Sequence, residues 1–187
     1  MRNPTDLNEL TLGEEIKYKG RIFRVVQYRM RMPDGRESLR DVVECPNAVA
    51  VVAVDNDSRV VMVRQFRRSA DAVLLELPAG KMEPGEKPSD AARRELEEET
   101  GCIARDMRYL FAGRVSPGYS TEIVHIFLAT GLAAGRAHPD ENEFLHVERI
   151  PLTEMIGHVM EGDIDDGKTI AGILAAARIL DESDKEH

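Results

Sequence analysis

The chain has 187 residues, enough for one domain with a sizeable core, and an ordinary soluble composition, 42% hydrophobic and 32% charged, without tryptophan. Its net charge of −9 argues against non-specific nucleic-acid binding, which needs a basic face, but not against a small anionic ligand, because bound metal reverses the local field. No apolar run approaches the roughly 20 residues of a membrane span, and the opening MRNPTDLNEL lacks the apolar core of a signal peptide. Cys45 and Cys102 fit no metal or disulfide framework, so reduced thiols in a cytoplasm are expected.

After a polar start, residues 15–19 read as a short strand ending at Gly20. Residues 21–32 and 37–44 then form a hairpin around Pro33-Asp34-Gly35. Val26, Tyr28, Met30 and Met32 alternate with Gln27, Arg29 and Arg31, while the adjacent pairs Ile22-Phe23 and Val25-Val26 suggest a bulge. Residues 48–54 are a continuous apolar run, as in a strand buried on both faces. Strands follow at 59–66, 74–77, 107–113, 122–130 and 146–150, and residues 152–161 and 169–181 have helical spacing. Strands, one helix, strands and two helices make a mixed sheet with helices packed on it, an α/β assembly.

The stretch from Gly80 to Cys102, GKMEPGEKPSDAARRELEEETGC, holds seven acidic residues between a Gly-rich loop and a terminating glycine. Its second half reads as a helix with Ser89 or Asp90 as N-cap and Gly101 as the stop. Glu95, Glu98 and Glu99 stand at i, i+3 and i+4, so their carboxylates share a face while Glu97 points away. Three like charges repel unless a cation compensates, and hard oxygen ligands on a rigid helix suit Mg²⁺. The alternative is a solvated helix rich in Glu and Arg.

Gly80, five residues, Glu86, seven residues, then Arg94-Glu95-Leu96-x-Glu98-Glu99-x-Gly101-Cys102 resembles the Nudix box. Only Cys102 departs, in a final slot that usually takes an aliphatic residue. The resemblance implies the Nudix α/β/α sandwich preceded by an N-terminal β-hairpin, with residues 1–46 as the N-terminal strands and 47–187 as the catalytic domain. It also implies metal-dependent cleavage of a nucleoside diphosphate linked to another group, with Mg²⁺, or Mn²⁺ in its place. On that pattern Glu95 and Glu99 are metal ligands, Glu98 is a direct or water-mediated one, and the Ala79 carbonyl is a further candidate. Arg94, four residues before Glu98, is its ion-pair partner, and Glu86 braces the loop.

Pro117 falls 16 residues after Gly101, within Ser116-Pro117-Gly118-Tyr119, and Asp140-Glu141-Asn142-Glu143 follows in a polar loop. Alone that loop is a solvated acidic segment. Both features resemble the ADP-ribose pyrophosphatase branch, which implies Glu141 as general base, Glu143 as a metal ligand, and substrate contacts at Pro117 and Gly118. A carboxylate can act as a base near neutral pH when its surroundings tune it. Arg67 resembles the arginine that contacts phosphates or terminal ribose in this branch, and a guanidinium suits phosphate, although an ordinary exposed arginine is the alternative. The branch also implies adenine contacts from residues 23–31, Arg29 among them, and a homodimer that exchanges N-terminal strands. The leading expectation is therefore hydrolysis of ADP-ribose to AMP and ribose 5-phosphate. The alternatives are hydrolysis of GDP-mannose or ADP-glucose, or a non-catalytic nucleotide sensor, against which the intact glutamate set argues.

Overall fold

A run with an apolar side chain at all seven positions has no polar face to turn to water, and the computed structural model buries Ala48–Val54 at every residue. The structure describes residues 7–138 and 144–185. In chain order its elements are β1 (Leu10–Lys19), β2 (Arg24–Arg31), β3 (Glu37–Glu44), β4 (Ala48–Val54), β5 (Arg59–Arg67), β6 (Ala72–Glu76), β7 (Ala79–Lys81), α1 (Pro88–Thr100), β8 (Cys102–Arg114), β9 (Ile123–Ala134), β10 (Leu145–Pro151), α2 (Leu152–Glu161) and α3 (Gly167–Lys185). The chain divides into two compact units: residues up to Asn47 with Arg114–Glu122, and Ala48–Gly113 with the chain from Ile123 onward.

The second unit is built on β4, the centre of a seven-stranded sheet ordered β10-β5-β4-β9-β8, with β6 added on β5 and β7 on β4. Strand β4 runs parallel to β9 and antiparallel to β5 and β7, so the sheet is mixed. Successive side chains of a strand point to opposite faces. Ala48, Ala50, Val52 and Val54 accordingly meet Met155 of α2 and Ile173 and Ala176 of α3. Val49, Val51 and Ala53 meet Ala91, Ala92 and Leu96 of α1. The result is the α/β/α sandwich expected. Leu96 and Ile173 are both fully buried, each worth about 1.5–3 kcal/mol relative to exposure. Helix α3 approaches closely because of Gly172, where a Cβ would lie 2.7 Å from Leu77.

The first unit is a three-stranded antiparallel sheet, β1-β2-β3. The expected hairpin turn is present, with Gly35 at φ +86° and a 2.7 Å bond from the Met32 N–H to the Arg36 carbonyl. Strands β2 and β3 pair without a break, from Arg24 beside Glu44 to Arg31 beside Glu37. An irregularity is found opposite Val25-Val26, as expected, but the extra residue belongs to β1, whose register slips at Lys17, between the partners of Val26 and Val25, and also at Leu12. An edge strand can absorb an extra residue, whereas β2 is paired on both sides. The Arg114–Glu122 segment lies along β3: the Val43 N–H reaches the Tyr119 carbonyl at 2.7 Å, and the Thr121 N–H reaches that of Val43 at 3.0 Å.

Candidate metal and phosphate site

Helix α1 begins at Pro88, where a missing N–H is no loss and a fixed φ suits the first turn. Its N-cap is Lys87, extended and without a side-chain cap bond. Ser89 and Asp90, expected at the cap, are therefore inside the first turn; the proline moves the start forward. Gly101 ends the helix in the left-handed conformation, φ +67°, its N–H 2.8 Å from the Glu97 carbonyl. The buried face consists of Ala91, Ala92, Leu96 and Glu99. Three of these fill core against β4. The fourth is a carboxylate.

A buried carboxylate needs partners. Glu99, 4% exposed, accepts the Ala79 N–H at 2.9 Å and so ties the helix to β7. One turn earlier the Glu95 carboxylate rests against Gly80, where an added Cβ would lie 2.1–2.2 Å from its atoms. Arg94 gathers the rest. Its Nη1 donates to Glu95 at 2.8 Å and to Glu98 at 2.9 Å. Its Nε and Nη2 grip Glu86 at 2.9 and 3.0 Å, and Nη2 also reaches the Lys81 carbonyl at 3.1 Å. Glu86 in turn accepts the Glu83 N–H at 2.9 Å, closing the loop onto the helix. The Glu86 hydrogen bond, with those of Glu95 and Glu98 and against the opposing effect of burial, raises the Arg94 pKa further. The same contact from Arg94 holds Glu86 below the usual carboxylate range.

Among the described residues no three His, Cys, Asp or Glu side chains are gathered closely enough to hold a metal by themselves. Arg94 draws Glu95 and Glu98 toward itself, and Glu99 turns to the Ala79 amide. The donor chemistry nevertheless fits a hard divalent cation: three carboxylates on one helix, beside a loop whose glycine leaves Glu95 the space a Cβ would fill.

The structure thus brings Ala79, Arg94, Glu95, Glu98 and Glu99 together. Arg67, at the end of β5, lies in a two-point ion pair with Glu76, Nε at 2.7 Å and Nη2 at 2.9 Å. That hydrogen bond, against burial and with the charges of Glu76, Glu99 and Asp166 added, raises its pKa. Arg29, exposed on β2, and Pro117 and Gly118, in the turn at Ser116–Ser120, belong to the first unit. Glu141 and Glu143 lie outside the described residues. The segment leading toward them is hydrogen-bonded to the end of α1, the Gly135 N–H to the Gly101 carbonyl at 2.7 Å and the His138 N–H to the Glu98 carbonyl at 2.9 Å.

Sequence reasoning passed over Glu76, Asp166, Lys168 and Thr169. One local signal was available: Asp166 three residues before Thr169 has the spacing of a helix N-cap, and the Thr169 N–H does donate to Asp166 at 3.1 Å.

Comparison with known proteins agrees with this arrangement. A model of the NUDIX domain matches residues 46–172. An ADP-ribose pyrophosphatase of Bacillus subtilis (strain 168) is 38% identical over 169 residues, covering 89% of this chain and 91% of that protein. A methanol dehydrogenase activator of Bacillus methanolicus is 38% identical over 167 residues, covering 88% and 90%. A solved structure described as an ADP compounds hydrolase superposes with a TM-score of 0.84 at 24% identity, over 95% of this chain and 97% of that one, a likeness of fold.

Proposed function

The chain belongs to the Nudix family, and from that premise we propose that it hydrolyses the diphosphate of ADP-ribose, releasing AMP and ribose 5-phosphate. The similarity to the Bacillus subtilis enzyme over nearly its whole length supports the substrate. The methanol dehydrogenase activator's name describes an effect on another enzyme and adds no substrate. The observation that carries the reading is the convergence of Glu95 and Glu99 on the Ala79-Gly80 segment, with Glu98 tied to Glu95 through Arg94.

In this reading Glu95, Glu99, Glu98, Glu143 and the Ala79 carbonyl hold Mg²⁺, or Mn²⁺. A bound divalent cation supplies phosphate charge neutralisation and a more acidic water. The chain's own groups do the rest. Glu141 takes a proton from the attacking water, whose oxygen bonds to phosphorus as the bridging P–O bond breaks. Arg67 offers N–H donors to a phosphate oxygen. Arg94 fixes Glu95 and Glu98, and through Glu86 holds the loop. Arg29, Pro117 and Gly118 are assigned to substrate on the resemblance alone. A cytoplasmic homodimer is part of the same proposal; the exposed Leu10, Ile16, Ile22 and Leu39 of the first unit support self-association.

The test is a substrate panel of ADP-ribose, ADP-glucose and GDP-mannose with Mg²⁺, read as phosphate after phosphatase coupling. ADP-ribose should have the highest kcat/KM. A preference for GDP-mannose would overturn the assignment, and no turnover of any of them would favour a nucleotide-binding sensor.

A further inference from the structure

Glu76 closes β6 with its carboxylate almost wholly out of water. Two cations answer it. Arg67 supplies the two-point pair, and Lys168 of α3 brings its ammonium to the Oε2 oxygen. Lys168 also reaches Asp166 at 2.9 Å. Asp166 stands just before α3 and caps it, accepting both the N–H and the hydroxyl of Thr169. The Thr169 hydroxyl is wholly buried, and it accepts the Leu77 N–H at 2.9 Å.

From Leu77 the chain enters the site with an anchor at nearly every residue. The Pro78 carbonyl accepts the Val51 N–H at 2.9 Å, the Ala79 N–H is held by Glu99, and Gly80 lies under Glu95. The first of these anchors comes from α3, about 90 residues further along the chain. The Arg67 pair uses the edge of the guanidinium that carries Nε and Nη2, so the Nη1 edge is turned away from Glu76. Packing alone would be met by apolar residues without the desolvation of four charged groups.

We propose that Asp166, Lys168 and Thr169 are positioning residues for the reaction. Lys168, with Asp166, fixes Glu76 and thereby the orientation in which Arg67 meets an anionic diphosphate. Thr169 fixes the N-terminal end of the Leu77–Gly80 segment. This rests on the reading of the chain as a pyrophosphohydrolase, and it concerns residues outside the acidic box that defines that reading.

The experiment compares wild type with Thr169→Val, Thr169→Ser, Lys168→Met and Lys168→Arg, assayed with ADP-ribose and Mg²⁺ well below each variant's melting temperature. Calorimetric affinity for α,β-methylene ADP-ribose is measured in parallel. Thr169→Val should lower kcat about tenfold to a hundredfold, the scale of a misplacement near 1 Å, and Thr169→Ser should recover most of it. Lys168→Met should raise KM and weaken the methylene analogue by about tenfold with less effect on kcat, because Arg67 contacts ground and transition states alike. If these variants melt earlier yet keep wild-type kcat, KM and analogue affinity, the cluster is only structural and the proposal fails. If wild type does not hydrolyse ADP-ribose, the substrate reading fails on its own, and unequal analogue affinities between wild type and Lys168→Met still support the positioning role while equal ones overturn it. Should Thr169→Val not fold, the Lys168 pair decides.

Discussion

Glu95 rests its carboxylate on the bare Cα of Gly80: a Cβ there would fall 2.1 Å from the carboxyl carbon and 2.2 Å from either oxygen. Glycine is required here by its neighbour rather than by a left-handed φ. The obstructing atoms are the far end of a flexible side chain, so Gly80→Ala should displace Glu95 instead of unfolding the protein. We expect a fall in kcat/KM of about a hundredfold and a higher Mg²⁺ requirement, with a melting temperature within a few degrees of wild type. A Mg²⁺ titration of turnover checks this, and an unchanged titration curve would remove Glu95 from the metal-binding set.

Arg94 serves three carboxylates and one carbonyl through a single planar fork. An ammonium cannot reproduce that geometry, so Arg94→Lys should behave as a loss and not as a conservative exchange. Urea unfolding of Arg94→Lys, Glu86→Gln and the double variant should give a coupling energy of about 0.5–3 kcal/mol. A coupling near zero would mean that the loop between Lys81 and Lys87 is held by something else.

What the sequence revealed were features set by local periodicity. The i, i+3, i+4 placement of Glu95, Glu98 and Glu99 is fixed once a helix is assigned. The run Ala48–Val54 states its own burial, and Gly101 its own helix end. What stayed hidden was set by distant partners. Nothing near Glu76 announces that Lys168, 92 positions away, will neutralise it. The slips at Leu12 and Lys17 depend on which strand lies at the edge of the sheet, and sequence alternation is silent about that.

His158 lies in the last turn of α2, with Nδ1 2.9 Å from Asp163 and Nε2 3.6 Å from Glu154. The Asp163 hydrogen bond, opposed by desolvation and aided by the charges of Asp163 and Glu154, raises its pKa above the ordinary 6.5. A raised folded-state pKa stabilises fully below the unfolded value and is lost as pH rises through the folded one. Stability should therefore decline modestly above about pH 6.5, and His158→Gln should flatten that decline. Urea midpoints measured across pH 5.5 to pH 8.5 decide it; an unaltered slope in the variant would assign the decline to another group.

Glu76 governs the opposite limb. Burial alone would raise its pKa, but the Arg67 hydrogen bond and the charge and hydrogen bond of Lys168 outweigh it and hold the carboxyl below 4.5. A depressed folded-state pKa contributes stability above the unfolded value, lost as pH falls through the folded one. Acid unfolding should accordingly steepen below about pH 4.5, as protonation removes the carboxylate charge that lies between Arg67 and Lys168 and leaves Asp166 as the remaining partner of Lys168. Glu76→Gln imposes that state at every pH, so it should lose about 3–5 kcal/mol at pH 7, the usual consequence of breaking a buried pair. The gap between variant and wild type should narrow toward pH 3. A gap that stays constant from pH 7 to pH 3 would show that the carboxylate charge does not hold Arg67 and the N-terminus of α3 together.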